Sequence, residues 1–276
     1  MELIESIFKL KDHKTSFKKE VLAGLATFLT MAYIMVVNPA ILSETGMDFD
    51  SVFVATILAS FVACMLMGVL ANWPVALAPG MGLNAFFTYA VVFGMGFTWQ
   101  QALAAVLCSG ILFLLISISP LRAYLINAIP RSLKFGIGAG IGLFLAIIGL
   151  KNAGIVVDNP ATLVGLGDLK SVPVLLALLT FTLMIALDKL KIPGAIVISI
   201  LATTIIGFVF GVAEFQGVAS SIPSMSPTFM QLDFSSLGSS LFLIVIFTIL
   251  FVDFFDTAGT LTSVANLSGK IDKNGN

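Results

Sequence analysis

Charge is what this 276-residue sequence has least of. Asp, Glu, Lys and Arg together make up 11% of it, against about 25% in an ordinary soluble domain. That is too little to cover the surface of a globular protein in water. The net charge is −1 with histidine neutral, and no basic face emerges, which argues against nucleic acid as a partner. Histidine is almost absent: the single residue, His13, sits among charges near the N-terminus, so a histidine-ligated metal site is excluded. Cysteine is confined to Cys64 and Cys108, both within apolar runs and spaced like no metal motif. They read as buried, inert thiols, with a disulfide across two spans as the alternative. There is no P-loop, nucleophile elbow, zinc motif or paired histidine, so no enzyme, metal or organic cofactor is expected.

Apolar residues are what is abundant. They account for 58% of the chain, including 24 Phe, and the mean hydropathy is +1.08. Disorder is incompatible with this composition. The class that remains is an all-α polytopic membrane protein whose surroundings are the lipid bilayer.

A bilayer helix needs about 20 mostly apolar residues. Eight runs qualify: Val21–Leu42, Val52–Ala71, Val75–Phe97, Ala102–Ile118, Phe135–Leu150, Val172–Leu187, Ile192–Ala213 and Leu237–Val264. With the N-terminus cytoplasmic, the inner segments hold twelve Lys and Arg, and the outer loops hold only Lys151 and Lys170. Cytoplasmic loops concentrate these residues, and a miscounted middle span would scramble the split. Within residues 2–19, Leu3, Ile4, Ile7, Phe8 and Leu10 are interleaved with Glu5, Lys9 and Lys11. This fits either a short interfacial helix on the inner leaflet or a solvated tail. No short apolar stretch there ends in small residues, so a cleaved leader is not expected.

Three places break the apolar pattern. Asp253 and Asp256 are the only charged residues deep within a span, and each costs roughly 2.5–3.5 kcal/mol at mid-bilayer on insertion scales. Spaced i, i+3, they share one helical face, which Thr257 and Thr260 extend. A carboxyl able to change protonation state is what a proton-coupled carrier needs. The alternative is that both are neutralised by neighbouring helices and only hold the bundle together. In the third span, Pro79, Gly80 and Gly82 break the helix, which is expected to restart near Asn84. A helix start leaves free N–H groups, and Asn84 adds a donor and an acceptor suited to a heterocycle edge. A Pro kink packed on a neighbour is the alternative. In the fifth span, Gly136, Gly138, Gly140 and Gly142 form small-xxx-small pairs and read as a packing or sliding face. Asn38-Pro39 reads as a helix end, with a pathway kink as the alternative.

Ala78-Pro-Gly-Met-Gly-Leu-Asn-Ala-Phe-Phe87 and Val252-Asp-Phe-Phe-Asp-Thr-Ala-Gly-Thr-Leu261 resemble signature segments of the nucleobase–cation symporters, in the xanthine/uracil permease superfamily. They are most similar to its adenine/guanine/hypoxanthine branch. Phe17-Lys-Lys-Glu-Val-Leu-Ala-Gly-Leu-Ala-Thr-Phe28 and Met31-Ala-Tyr-Ile-Met-Val-Val-Asn-Pro39 are similar as well. Uracil and xanthine permeases usually carry Glu and His in the eighth span instead of Asp-x-x-Asp.

The resemblance implies a purine base carried with a proton across the plasma membrane by alternating access. It implies a fourteen-span fold of two inverted seven-span repeats. Residues 1–19 would be a cytoplasmic segment, 20–118 core-domain spans one to four, and 119–213 gate-domain spans five to seven. Residues 214–276 would begin the second repeat with span eight. Gly82, Asn84 and the adjoining Ala85 would line the base site. Asp253 would contact the base, with Asp256 and Thr257 supporting binding or coupling. The proton is the only coupling partner implied, and a homodimer is left open. A family member continues through six more spans, so the resemblance also implies a C-terminally truncated chain. Another small substrate on the same fold (xanthine, uracil or an anion), or a non-transporting membrane protein, are the competing expectations.

Overall fold

The structure is a computed structural model that describes residues 8–12, 15–73, 75–119, 131–212, 217 and 221–267. In chain order the helices are α1 (Phe17–Met31), α2 (Ile34–Ser43), α3 (Phe49–Val69), α4 (Met81–Ala85) continued by a π-helix (Phe86–Gly94), α5 (Trp99–Ile118) and α6 (Arg131–Asn152). Two strands follow, β1 (Val156–Asn159) and β2 (Leu163–Leu166). Then come α7 (Val172–Lys189), α8 (Ala195–Val209) and α9 (Ser240–Leu267).

Among the described residues, five stretches are long and apolar enough to cross a membrane: Phe17–Ser43, Phe49–Val69, Trp99–Ile118, Val172–Lys189 and Ser240–Thr257. Shorter apolar helical stretches, Met81–Gly94, Gly142–Asn152 and Ala195–Val209, fall where the other three spans were predicted. The protein is therefore helical and polytopic. Among the described residues, the one departure is an antiparallel hairpin between the predicted fifth and sixth spans, pairing Val156 with Leu166 and Asn159 with Leu163. Asn159 Oδ1 closes the turn by accepting from the backbone N–H of Ala161 at 2.9 Å, the local bonding that suits Asn to turns. Most of the predicted interfacial segment and all of Gly269–Asn276 lie outside the described residues.

The chain forms two compact units. One comprises Met1–Val37, Phe53–Pro79 and Ala146–Pro223. Here α8 packs along α7 and α1 through a stripe of small residues, with Ala195, Ser199, Thr203 and Gly207 all buried. Small side chains let helix backbones approach closely. Thr180 Oγ1 on α7 lies 2.9 Å from Thr203 Oγ1 on α8. The turn into α8 needs Gly194: its φ is +78°, and a Cβ there would lie 3.2 Å from Leu29 Cδ1. Cys64 and Cys108 are free thiols, so the disulfide alternative falls. Cys64 Sγ accepts the N–H of Leu77 at 3.1 Å and donates to its carbonyl at 3.2 Å. It thereby satisfies two backbone groups of the non-helical run 75–80.

The other unit comprises Asn38–Val52, Gly80–Leu145 and Ser224–Asn276. Its core is α9 on α5, with Phe87 and Val91 of the π-helix and Phe242, Val245 and Ile249 of α9 buried together. Phe97 and Phe113 meet Phe242 and Phe254 edge-on, each pair at 6.1 Å between ring centres. The first turn of α5 is a capping box, in which Thr98 Oγ1 accepts from the N–H of Gln101 and Gln101 Oε1 from that of Thr98. Asp48 precedes α3 and accepts from the N–H of Ser51 at 2.8 Å and its hydroxyl at 2.6 Å. The predicted glycine face of the fifth span is not packed among the described residues: a Cβ at Gly136, Gly140 or Gly142 meets nothing within 4 Å. The close small-residue packing belongs to α8 instead.

Candidate functional site

The third span begins without a helix. Residues 75–80 are non-helical, and Gly80 (φ −73°, ψ 116°) precedes Met81 as an extended cap. The first helical bond runs from the N–H of Asn84 to the carbonyl of Gly80 at 3.1 Å. The helix thus starts at Met81, three residues before the predicted restart. Proline supplies no N–H and disfavours helix in the residue before it, which accounts for the run up to Pro79. Gly82 falls in the first turn, where N–H groups have no intrahelical partner anyway. From Phe86 the winding widens into the π-helix, a form frequent at functional sites.

The acids sit on α9, which packs against α4. Phe254, buried against Phe113, fixes the face that α9 turns to α5. Asp253, Asp256 and Thr257 occupy i, i+3 and i+4 of this helix and are each partly buried. Asp256 reaches the break: its Oδ2 is 3.3 Å from where a Cβ on Gly80 would be. Among the described residues, neither carboxyl has a hydrogen-bond or ion-pair partner. Also among them, no group of three His, Cys, Asp or Glu could hold a metal.

The structure therefore brings Asp256 to the broken segment. Ala85 is placed differently from a lining residue: it is fully buried and presents no surface. Asn84 does not stand alone. Its Nδ2 donates to Oδ1 of Asn38, which is itself buried. Asn38-Pro39 is not a helix end, since α2 runs on to Ser43 with Pro39 inside it. The interruption of the first span lies earlier, at Ala32–Tyr33. The signal that could have found Asn38 was the one that found Asn84, an amide within an apolar run.

Known proteins resemble this chain over nearly all of it. The model of the permease family matches residues 18–276. The adenine permease AdeP of Escherichia coli is 43% identical over 99% of this chain. The guanine/hypoxanthine permeases PbuO and PbuG of Bacillus subtilis are each 44% identical, over 97% and 98% of it. The chain spans 61%, 63% and 64% of these three relatives, respectively. Its apolar helices make it a multi-pass membrane protein, and a match running from residue 18 to residue 276 shows that it belongs to the permease family.

Proposed function

We propose that this chain is part of a carrier that moves purine nucleobases, such as hypoxanthine, guanine or adenine, across the plasma membrane by proton symport. The observation that carries the reading is the approach of Asp256 to Gly80, which sets an ionisable group of α9 against irregular backbone in the third span. Intramembrane acids mark substrate and proton pathways, and interrupted helices mark transporter sites. The names borne by the adenine and guanine/hypoxanthine permeases above support the choice of substrate.

The chemistry is complementary. A purine presents N–H donors beside ring-nitrogen and exocyclic acceptors. Asp253 accepts from a base N–H, and the amide of Asn84 offers a donor and an acceptor at the helix start that includes Gly82. Asp256 and Thr257 support binding or coupling, and a carboxyl that takes up a proton loses its charge before the carrier reorients. The first repeat then supplies 20–118 as core and 119–213 as gate, with 214–276 opening the second repeat. The Lys and Arg distribution supports a cytoplasmic N-terminus. Bilayer lipid and a second copy of the chain complete the expected partners.

The test is uptake of radiolabelled hypoxanthine by the full-length gene product in cells lacking their own purine permeases. Saturable uptake that collapses with the pH gradient, and that unlabelled purines compete for, is expected. Asp253→Asn abolishes it while protein remains in the membrane. Normal uptake by that variant overturns the role of Asp253, and failure of purines to compete overturns the substrate.

A further inference from the structure

We propose that Asn38 is a positioning residue that sets which end of the Asn84 amide is offered to the substrate. The inference rests on the reading of Asn84 as a base-binding group. Three side-chain bonds tie the helix Met81–Gly94 to the stretch that runs from α2 to Glu44: Asn84 Nδ2 to Asn38 Oδ1, Thr88 Oγ1 to the Ile41 carbonyl at 3.2 Å, and Tyr89 OH to Glu44 Oε1 at 2.9 Å. Thr88 is fully buried and Asn38 nearly so. The two segments are held in one register by a buried bond at Thr88, a half-buried one at Asn84 and an exposed one at Tyr89.

The amide of an asparagine is nearly symmetric in shape, and its terminal torsion is broad and roughly two-fold. Its two ends differ only in hydrogen bonding, one accepting and the other donating. With Asn38 Oδ1 opposite, turning Asn84 over by itself would set oxygen against oxygen in place of a hydrogen bond, which is costly. Asn38 therefore uses one N–H of Asn84 and leaves Oδ1 and the second N–H for a ligand in a fixed order. A purine edge that reads acceptor-donor is distinguished from one that reads donor-acceptor by that order, so Asn38 acts on selectivity without touching the base. Thr88 and Tyr89 supply the register that lets it do so.

The test compares variants of the full-length protein by hypoxanthine uptake, and by the Kd of radiolabelled hypoxanthine on purified protein. Asn38→Leu keeps bulk but removes the acceptor. It is expected to weaken binding and raise KM about tenfold, the scale of one interhelical hydrogen bond to an otherwise unpaired group, with Vmax per membrane protein held within about twofold. Asn38→Asp restores an acceptor and recovers most of the loss. In an Asn84→Ala background, Asn38→Leu changes Kd no further. An unchanged KM in Asn38→Leu, a fall confined to Vmax, or a full additional loss in the Asn84→Ala background overturns the inference. If Asn84→Ala itself leaves Kd unchanged, the base-binding role of Asn84 fails and the inference falls with it. If Asn84→Ala weakens binding and Asn38→Leu does not, the role of Asn38 alone falls. Should Asn38→Leu not reach the membrane, Asn38→Ser, whose hydroxyl is too short to reach Asn84, carries the same expectations.

Discussion

Oδ2 of Asp256 lies 3.3 Å from the position a Cβ would take on Gly80, although the two residues are far apart in sequence. The backbone angles of Gly80, φ −73° and ψ 116°, are open to any residue. A substitution there acts through the contact with Asp256 and not through backbone strain. Gly80→Ala is expected to displace the Asp256 carboxyl by a few tenths of an ångström and to lower purine uptake by roughly tenfold, equivalent to about 1.4 kcal/mol, with membrane levels unchanged. Uptake equal to the parent would show that Asp256 is not needed in this place.

Asp48 lies outside the spans, and its carboxyl is held below the usual value of 3.8 by hydrogen bonds from the Ser51 hydroxyl and backbone N–H. A group whose folded value is depressed adds stability above its unfolded pKa of about 3.9 and loses it as the pH falls through the folded value. Asp48→Ala is therefore expected to lower the Tm of detergent-solubilised protein at pH 7. The difference from the parent should shrink progressively below about pH 4. A difference that is constant across that range would rule out the cap as its source.

Ser199 is fully buried on α8, and its hydroxyl donates to the carbonyl of Ala195 at 2.7 Å. Ser199→Leu forces volume into the small-residue seam and is expected to cost about 1–3 kcal/mol, read as a lower Tm. Ser199→Ala keeps the close approach and should stay near the parent. An undiminished Tm in Ser199→Leu would mean that the seam has room.

Cys64 supplies both a donor and an acceptor to Leu77, in backbone that has no helical partners. Cys64→Ser preserves both functions. Cys64→Val preserves bulk but strands the N–H and carbonyl of Leu77. Interhelical polar contacts in membranes contribute about 0.6–2 kcal/mol, and a loss of that order is expected for the valine variant alone in thermal unfolding. Equal Tm values for the two variants would count against the latch.

Hydropathy made the spans legible because the bilayer imposes one length and one polarity on every crossing. Each of the eight predicted runs contains helix in the structure, though the third is helical only from Met81 to Gly94. The acids and the Pro-Gly break were legible for the converse reason, that they violate this rule. The partnership of Asn38 with Asn84 was not, because a pairing between residues 46 apart leaves no local pattern. The π-winding of Phe86–Gly94 has no compositional signature, and the strands Val156–Asn159 and Leu163–Leu166 are too short for alternation to register. The glycine run of the fifth span was legible as a motif, yet the small-residue packing occurs on α8. Spacing shows which surfaces permit close approach, and tertiary structure decides which are used.

A bilayer measures thickness, whereas translation delivers residues. The helix Met81–Gly94 has 14 residues and reaches about 20 Å at the α-helical rise, short of a hydrocarbon core of roughly 30 Å. The six preceding residues, at up to about 3.3 Å each when extended, add a comparable reach. The third span is thus long enough only as a composite of two conformations. An insertion machinery that partitions continuous apolar helices of about 20 residues finds none here. This span is expected to enter the membrane in company, its uncoiled half shielded by a neighbour such as Cys64, and its biogenesis to depend on helices made before and after it.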